Sequence, residues 1–316
     1  MKQKNQIRQW VALILLGTLF TVTLTSCKKD DNPAPVVTSN TITDKVVADA
    51  SLTLLEKAVI KAGLDVTLKG TGPFTVFAPD DAAFAASGIS SATIDALTPA
   101  QLSTLLLYHT IPAKILAADV PAGPNAKVVT ASGDSVFVTK NSSGVFINGI
   151  KVTTADIVAD NGVIHKIGRV LNPPAGNIVQ TAVASGLDSL VKAVTLAGLA
   201  GTLSGGTLTV FAPTNQAFTD LLAALSLTDI NQIPIATLTA VLTYHVVGGR
   251  AFSSDLANGS LGMLAGGNTT INLSNGTGGG PTILGNSNGT TKSNIIATNI
   301  VCTNGVVHLI DHVLLP

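Results

Sequence analysis

Apolar side chains recur at helical spacing early in the chain and again about 135 residues later. Within residues 44–62 they stand every three or four positions and stop at Gly63, and residues 178–197 repeat the pattern up to Gly198. This spacing predicts one amphipathic helix in each segment, ended by a glycine that adopts the left-handed conformation without strain.

Alternating apolar and polar positions follow each of these helices. Residues 74–78 and 208–212 alternate β-branched and aromatic residues, and each run stops at a proline, which predicts two strands. A capping box with proline in the first turn, Thr98-Pro99-Ala100-Gln101, predicts a further helix. Further strands are predicted around residues 128–130, 136–139, 145–147, 162–170 and 305–314. Helices followed by short strands predict an α+β fold.

Three sequence markers occur twice in the same order, at offsets of 134 to 143 residues. A nearly constant offset indicates two copies of one domain rather than a short-period solenoid. The markers are the strand and Ala-Pro segment of 73–84 and 208–218, the pairs Tyr108-His109 and Tyr244-His245, and the Asn-Gly-Val-Ile/Val-His runs of 161–165 and 304–308.

These markers resemble those of fasciclin (FAS1) domains, present here as a tandem pair. The resemblance covers residues 41–174 and 177–316, and it departs from the pattern where Gly168-Arg169 and Asn172 replace the Ile-Asp-His and Leu of the second copy. It implies that each copy is a β-wedge of two sheets wrapped by helices, of a kind used widely in cell-surface adhesion proteins. We therefore expect one domain over 41–174 and a second over 175–316.

The N-terminal residues have the pattern of a secretion signal. Lys2, Lys4 and Arg8 precede an apolar run, and small residues follow it, which predicts a signal peptide over 1–26. Leu24-Thr25-Ser26-Cys27 resembles the lipobox of bacterial lipoproteins, which implies that Cys27 is acylated. A simple signal peptide with an accidental cysteine is the alternative.

Residues 27–40 are predicted to be a lipidated, flexible tether. Within it, Lys28-Lys29-Asp30-Asp31 resembles the signal that sends Bacteroidetes-type lipoproteins to the outer face of the cell, although a solvated tether would look similar. The expected location is therefore the outer membrane, lipid-anchored and exposed at the cell surface. With Cys27 acylated, Cys302 has no disulfide partner and is predicted to be a small buried side chain.

The charge balance narrows the range of functions. The 316 residues carry 18 basic and 18 acidic groups, and only 11% are charged, so the concentrated basic face of a nucleic-acid binder is excluded. Hydrophobic residues make up 46% of the chain, which is enough for two cores.

No catalytic or metal-binding pattern is convincing, so we expect no enzyme activity, cofactor or metal. Residues 285–289 match G-x-S-x-G, but a polar loop follows where a nucleophile elbow needs a helix. His308 and His312, four apart on a predicted strand, would lie about 13 Å apart, too far to share an ion. Asp80-Asp81 and their counterparts Thr214-Asn215 are better explained as helix caps.

The pairs Tyr108-His109 and Tyr244-His245 are the candidate binding residues. The family resemblance implies that their segments take part in adhesive recognition. Alternatively, each pair closes a helix, with a buried ring and internal hydrogen bonds. His165 and His308 are expected to be buried on strands.

The expected function is non-enzymatic adhesion, or contact with a matrix protein, by a surface lipoprotein. The expected partners are the membrane, through the anchor, and a surface protein or glycan. A glycan site has little aromatic material, because the chain has one tryptophan and two tyrosines. The alternative is capture of a polysaccharide or small ligand for uptake, which a concave apolar pocket with converging polar groups would favour.

Overall fold

The same order of helices and strands occurs twice along residues 39–316, the part of the chain that the computed structural model describes. The predicted signal peptide, Cys27 and residues 28–38 lie outside these described residues. Ser39 and Asn40, placed in the tether by their sequence, bond to the first domain through Asp44 and Asp160. Across the described residues, none of the helices has both the length and the apolarity needed to cross a membrane.

In the first domain all six helices precede β2 to β7, and β1 lies between the third and fourth helices. Its helices are α1 (Ile42–Ala48), α2 (Thr53–Ala62), α3 (Asp65–Lys69), α4 (Asp81–Ala86), α5 (Ser91–Ala96) and α6 (Pro99–Tyr108). Its strands are β1 (Phe74–Pro79), β2 (Thr110–Ile111), β3 (Gly123–Val129), β4 (Ser135–Asn141), β5 (Gly144–Ile147), β6 (Ile150–Ala159) and β7 (Gly162–Ile167).

The second domain repeats this order. Its helices are α7 (Ile178–Ala184), α8 (Asp188–Leu196), α9 (Ala200–Ser204), α10 (Asn215–Ala224) and α11 (Ile235–Thr243), with short 3-10 turns at Ile230–Gln232, Ser253–Asp255 and Thr277–Gly279. Its strands are β8 (Leu208–Pro213), β9 (Val246–Gly248), β10 (Gly259–Gly262), β11 (Asn268–Asn272), β12 (Thr282–Leu284), β13 (Ser293–Cys302) and β14 (Gly305–Ile310).

Strand order is the same in both domains, which confirms the predicted α+β fold and the tandem repeat. The first sheet runs β2-β1-β7-β6-β5-β4-β3 and the second runs β9-β8-β14-β13-β12-β11-β10. The first strand of each domain is parallel to the last, and the other neighbours are antiparallel. The long strand β6 pairs with β5 at its start and with β7 over the rest. It therefore joins the part of the sheet formed by β1, β2 and β7 to the part formed by β3, β4 and β5, and these two parts are the halves of the wedge.

The long helices predicted from apolar spacing are each broken in two. Residues 44–62 form α1 and α2, because Asp49 is extended and its carboxylate accepts hydrogen bonds from the amide and hydroxyl of Ser51. Residues 178–197 form α7 and α8, with Gly186 at φ +66° between them. The apolar spacing continues across both breaks because α1 and α2 pack on the core of the first domain and α7 and α8 pack on the core of the second, so the spacing did not reveal the breaks.

The predicted caps are confirmed. Thr98 accepts a hydrogen bond from the Gln101 amide, and Gln101 accepts one from the Thr98 amide. Asp80 and Thr214 cap α4 and α10. The Asp81 carboxylate and the Asn215 amide oxygen accept backbone N–H groups in the first turns of α2 and α8.

Each domain has two hydrophobic clusters. One lies between the helices and the first and last strands, and the other lies between the two halves of the wedge. Cys302 is buried in the helical cluster of the second domain, as predicted. The closing strands end at Ile167 and Ile310, earlier than predicted, so His312 lies beyond β14 and is not a strand residue.

Candidate functional site

The two Tyr-His pairs lie in the core at the C-terminal ends of α6 and α11. Tyr108 is 0% exposed, and Tyr244, His109 and His245 are each 1% exposed. This position corresponds to the burial alternative left open by the sequence. Direct contact of these side chains with a partner stays a prediction, and it would require them to leave the core.

The paired histidines hold the end of each domain to its helix. His109 Nδ1 donates to the Leu105 carbonyl at 2.8 Å, and its Nε2 accepts the Leu171 amide at 2.9 Å. His245 bonds in the same way to the Val241 carbonyl and the Leu314 amide, at 2.8 and 2.9 Å. Burial lowers the pKa of both imidazoles to about 4, so each ring is neutral, with one nitrogen donating and the other accepting.

The tyrosine hydroxyls are also satisfied internally. Tyr108 donates to the Ser135 carbonyl at 3.2 Å and accepts from Asn148 Nδ2 at 3.0 Å, and burial raises its pKa to about 12. Tyr244 donates to the Asn268 carbonyl and accepts the Asn286 amide. Each hydroxyl therefore links the end of a helix to the strands of the wedge.

A second pair of histidines, His165 and His308, is buried on the closing strands as expected. His165 stacks on Phe77 with ring centroids 5.9 Å apart. Its Nε2 donates to the Ile115 carbonyl at 2.8 Å, and its Nδ1 accepts the Asp156 amide at 3.1 Å. The ring thus positions the loop that follows β2.

We call residues 112–122 of this loop the cover loop. The Thr75 hydroxyl donates to the Ala113 carbonyl and accepts the Ile115 amide, at 2.6 and 2.9 Å. Asp156 Oδ1 accepts the Ala117 amide at 2.9 Å. Lys140 Nζ also donates to three carbonyls of the loop, those of residues 117, 118 and 120, so the loop is fixed along its length.

A cavity of about 350 Å³ lies beneath the cover loop, between the two halves of the wedge. All seven strands of the domain contribute to its lining, β7 through His165. Most of the lining is apolar: Phe77, Ile111, Ile115, Ala117, Val120, Pro121, Ala126, Val128, Val138, Val145, Ile147 and Val152. Thr75, His165, Lys114 and Asp119 supply the polar groups. This concave apolar site with converging polar groups is the feature that the alternative function requires.

No local pattern in the sequence indicates this cavity. Its lining comes from strands spread between Thr75 and His165, and in the sequence its apolar residues cannot be distinguished from ordinary core residues. Only their convergence beneath the cover loop distinguishes them, and that convergence is a property of the fold.

The matching loop of the second domain, residues 249–258, is held by equivalent bonds from a threonine, a histidine and an asparagine. The Thr209 hydroxyl donates to the Gly249 carbonyl and accepts the Ala251 amide, both at 2.9 Å. His308 Nε2 donates to the Ala251 carbonyl at 2.9 Å. Asn299, at the position of Asp156, accepts the Ser253 amide at 2.8 Å.

This second loop contacts the first domain. The Arg250 guanidinium lies 4.0 Å from the centroid of the Phe137 ring. The centroids of the Phe137 and Phe252 rings lie 6.0 Å apart. Arg250 also donates to the carbonyls of Cys302 and Thr303, and burial lowers its pKa. The sequence did not predict this contact between the domains. Phe137 was a possible signal, because only 4% of the residues are aromatic.

Three further hydrogen bonds cross between the domains. Asn125 Nδ2 donates to the Arg250 carbonyl at 2.6 Å, and Asn141 Nδ2 donates to the Ser254 carbonyl at 3.1 Å. The Thr139 hydroxyl donates to Asp255 Oδ1 at 3.0 Å. The two copies touch through this contact.

Catalytic geometry is not formed at the one enzyme-like motif. The Ser287 hydroxyl donates to the carbonyl of Pro316 within a loop. Within residues 39–316, no group of three or more His, Cys, Asp or Glu side chains is placed to hold a metal ion.

Comparison with known proteins identifies the repeat. The family model for the fasciclin domain matches residues 50–173 and 185–316. Protein sll1483 of Synechocystis sp. is 36% identical over 138 residues, which are 42% of this chain and 74% of that protein. The transforming growth factor-beta-induced protein ig-h3 of Sus scrofa is 33% identical over 159 residues, which are 50% of this chain and 22% of that protein.

Two further similarities extend over both copies. Periostin of Homo sapiens is 28% identical over 258 residues, which are 79% of this chain and 29% of that protein. A FAS1 domain pair from the insect cell adhesion molecule Fasciclin I is 18% identical, with a TM-score of 0.41, and the match covers 87% of this chain and 96% of that one. The chain thus spans about a third or less of the length of the animal relatives ig-h3 and periostin.

Proposed function

Because the chain belongs to the fasciclin domain family, we propose that it is a membrane-anchored surface lipoprotein that mediates cell adhesion or contact with matrix proteins. FAS1 domains are found in adhesion and extracellular matrix proteins, and the family is generally non-enzymatic. The observation that carries the proposal is a tandem pair of these domains behind a lipobox-like segment ending at Cys27.

Anchoring follows from the chemistry of Cys27. Acylation of both its thiol and its free amine would supply several chains, and more than one chain is needed for stable attachment. Eleven residues separate Cys27 from Ser39, and a chain of that length spans at most about 40 Å even when fully extended. The two domains would therefore work close to the membrane surface.

Replacing each cysteine in turn tests the anchor. Cells producing the chain are fed labelled palmitate, and we expect the label in the unchanged protein and its loss in Cys27→Ser. Cys302→Ser is the matched control, because that thiol is buried in the fold and is expected to leave labelling unchanged. Label retained by Cys27→Ser would overturn the anchor.

Surface display and adhesion are tested on intact cells. Added protease is expected to digest the protein before the outer membrane is broken, and protection until breakage would contradict surface exposure. Purified residues 39–316, added to the same cells and to immobilised matrix proteins, are expected to bind saturably. If the purified protein binds saturably neither to the cells nor to any of the matrix proteins, the adhesion proposal is contradicted.

Capture of a small ligand is the second candidate function, and the cavity of the first domain favours it. Its volume of about 350 Å³ lies within the range of small-molecule sites. Adhesion does not require such a cavity, so the two functions separate experimentally. Ligand capture would persist in a variant that no longer binds to cells.

A further inference from the structure

The cavity beneath the cover loop has the size and lining of a site for an aliphatic chain. Its volume of about 350 Å³ is that of about a dozen water molecules in the liquid. Aliphatic side chains offer water no hydrogen-bond partners, and a cavity lined in this way favours an apolar occupant.

Three of the four polar groups that line the cavity already bond within the protein. The Thr75 hydroxyl and both ring nitrogens of His165 bond to backbone atoms of the cover loop and of Asp156. Asp119 is exposed at the rim, and its carboxylate accepts the Leu116 amide at 3.1 Å. These groups fix the protein rather than select a ligand.

Lys114 is the polar group that remains. It lines the cavity, it is exposed at the rim, and among residues 39–316 its ammonium group makes neither an ion pair nor a hydrogen bond. An ammonium group at the edge of an apolar cavity matches a ligand with an acidic head and a hydrocarbon body.

We infer that the first domain binds a medium-chain aliphatic carboxylate, with the carboxylate at Lys114 and the chain among the valines and isoleucines of the wedge. The inference deepens, and rests on, the second function proposed above, capture of a small ligand. The cover loop, held by Lys140 and Asp156, forms the outer wall of the site.

A chain-length series tests the apolar part of the site. Calorimetric titration of residues 39–316, which contain every described helix and strand, uses hexanoate, octanoate and decanoate. Burial of each methylene is expected to strengthen binding about fourfold, the equivalent of about 0.8 kcal/mol. No measurable binding of decanoate, or affinities that do not depend on chain length, would overturn the inference.

Two lysine variants test the head group. Lys114→Ala is expected to weaken octanoate binding about fivefold, as for a partly exposed ion pair, and to leave binding of octan-1-ol unchanged. Lys127→Ala is the matched control, because Lys127 is exposed on the opposite face of β3 and does not line the cavity. The proposed contact between Lys114 and the carboxylate would be contradicted if Lys114→Ala weakened the binding of octanoate and octan-1-ol equally. It would also be contradicted if Lys127→Ala weakened octanoate binding as much as Lys114→Ala.

Filling the cavity tests the location. Ala126→Leu places three more carbons in the cavity and is expected to weaken decanoate binding at least tenfold, whereas Val129→Leu on the outer face of the same strand is not. Thermal unfolding checks that both variants fold; should Ala126→Leu not fold, the more peripheral Ala117→Leu replaces it. Full decanoate affinity in a folded, filled variant would overturn the site.

These measurements are independent of the anchoring and adhesion experiments. Failure of protease digestion or cell binding leaves the titration series unaffected. Conversely, absence of decanoate binding removes the ligand and leaves the proposed anchor and adhesion intact.

Discussion

The loop after the second strand has different roles in the two domains, although the same bonds hold it in both. A threonine, a histidine and an Asp or Asn fix the loop in each copy. The first copy carries Lys114 and Leu116 where the second carries Arg250 and Phe252. The first loop covers a cavity, and the second packs against Phe137 of the other domain.

This comparison distinguishes the hydrogen bonds that position the loop, which the two domains share, from the side-chain contacts of the loop, which differ. The matching of Leu116 with Phe252 follows from their bonds, since each amide donates to the carboxylate three residues later, at 3.1 and 2.9 Å. These shared bonds fix where the loop lies, whereas the side chains at these two positions differ: Lys114 lines the cavity of the first domain, and Arg250 and Phe252 contact Phe137.

The largest expected effect concerns the buried tyrosines, where the two domains are alike. Tyr108→Ala is expected to lower the free energy of unfolding by about 3–5 kcal/mol, because a large ring leaves the core. Tyr244→Ala is expected to cost a similar amount, measured by denaturant unfolding. Val129→Ala, at an exposed position, is the control. A loss below about 1 kcal/mol at Tyr108 would indicate an exposed ring and would favour a direct role in recognition.

Acid is expected to weaken both domains through the paired histidines. The folded pKa of His109 and His245 is lowered to about 4, below the ordinary value of 6.5, so the unfolded chain binds more protons between these values. Stability is therefore fully present above pH 6.5 and falls as the pH drops towards 4, by on the order of 3 kcal/mol for each ring.

His109→Asn is expected to remove its share of this pH dependence, measured by denaturant unfolding at pH 7, 5.5 and 4. His312→Asn is the control, because that side chain is partly exposed. An unchanged pH dependence in His109→Asn would contradict a buried neutral ring.

Removal of the shared aromatic contact is expected to uncouple the domains. Phe137→Ala loses both the Arg250 and the Phe252 contacts and is expected to lower the free energy of unfolding by about 2 kcal/mol. Calorimetry is expected to show the domains unfolding over more widely separated temperatures. Leu116→Ala, in the counterpart loop, is the control for the coupling. A single unchanged transition in Phe137→Ala would argue against an energetic role for the interface.

The smallest expected effect concerns the caps of the matching helices. α6 is preceded by the Thr98 capping box, whereas the N-cap residue of α11 is Pro234, which makes no side-chain cap hydrogen bond. Thr98→Ala is expected to lower the free energy of unfolding by about 1 kcal/mol. Thr104→Ala, on the exposed part of the same helix, is expected to change it less. Equal effects of the two substitutions would show that the cap does not stabilise α6.

Much of the fold could be predicted because its signals are local. The strands that stop at Pro79 and Pro213, the cap at Thr98 and the burial of Cys302 each depend on residues close in sequence or on composition. The breaks at Asp49 and Gly186 could not be predicted from apolar spacing, because packing on one core face preserves that spacing across the break.

The candidate sites were less accessible to such reasoning. The Tyr-His pairs were found from the repeat, but the choice between recognition and burial depended on Leu171, Leu314, Ser135 and Asn268, which lie far away in sequence.

The sequence by itself determined that there are two copies of one α+β domain, since periodicity, caps and repeated markers are written along the chain. Only the tertiary structure decided that the Tyr-His pairs lie in the core, that one loop covers a cavity and that its counterpart joins the domains. The physical reason is that these features depend on side chains brought together from distant strands, and their convergence leaves no local pattern in the sequence.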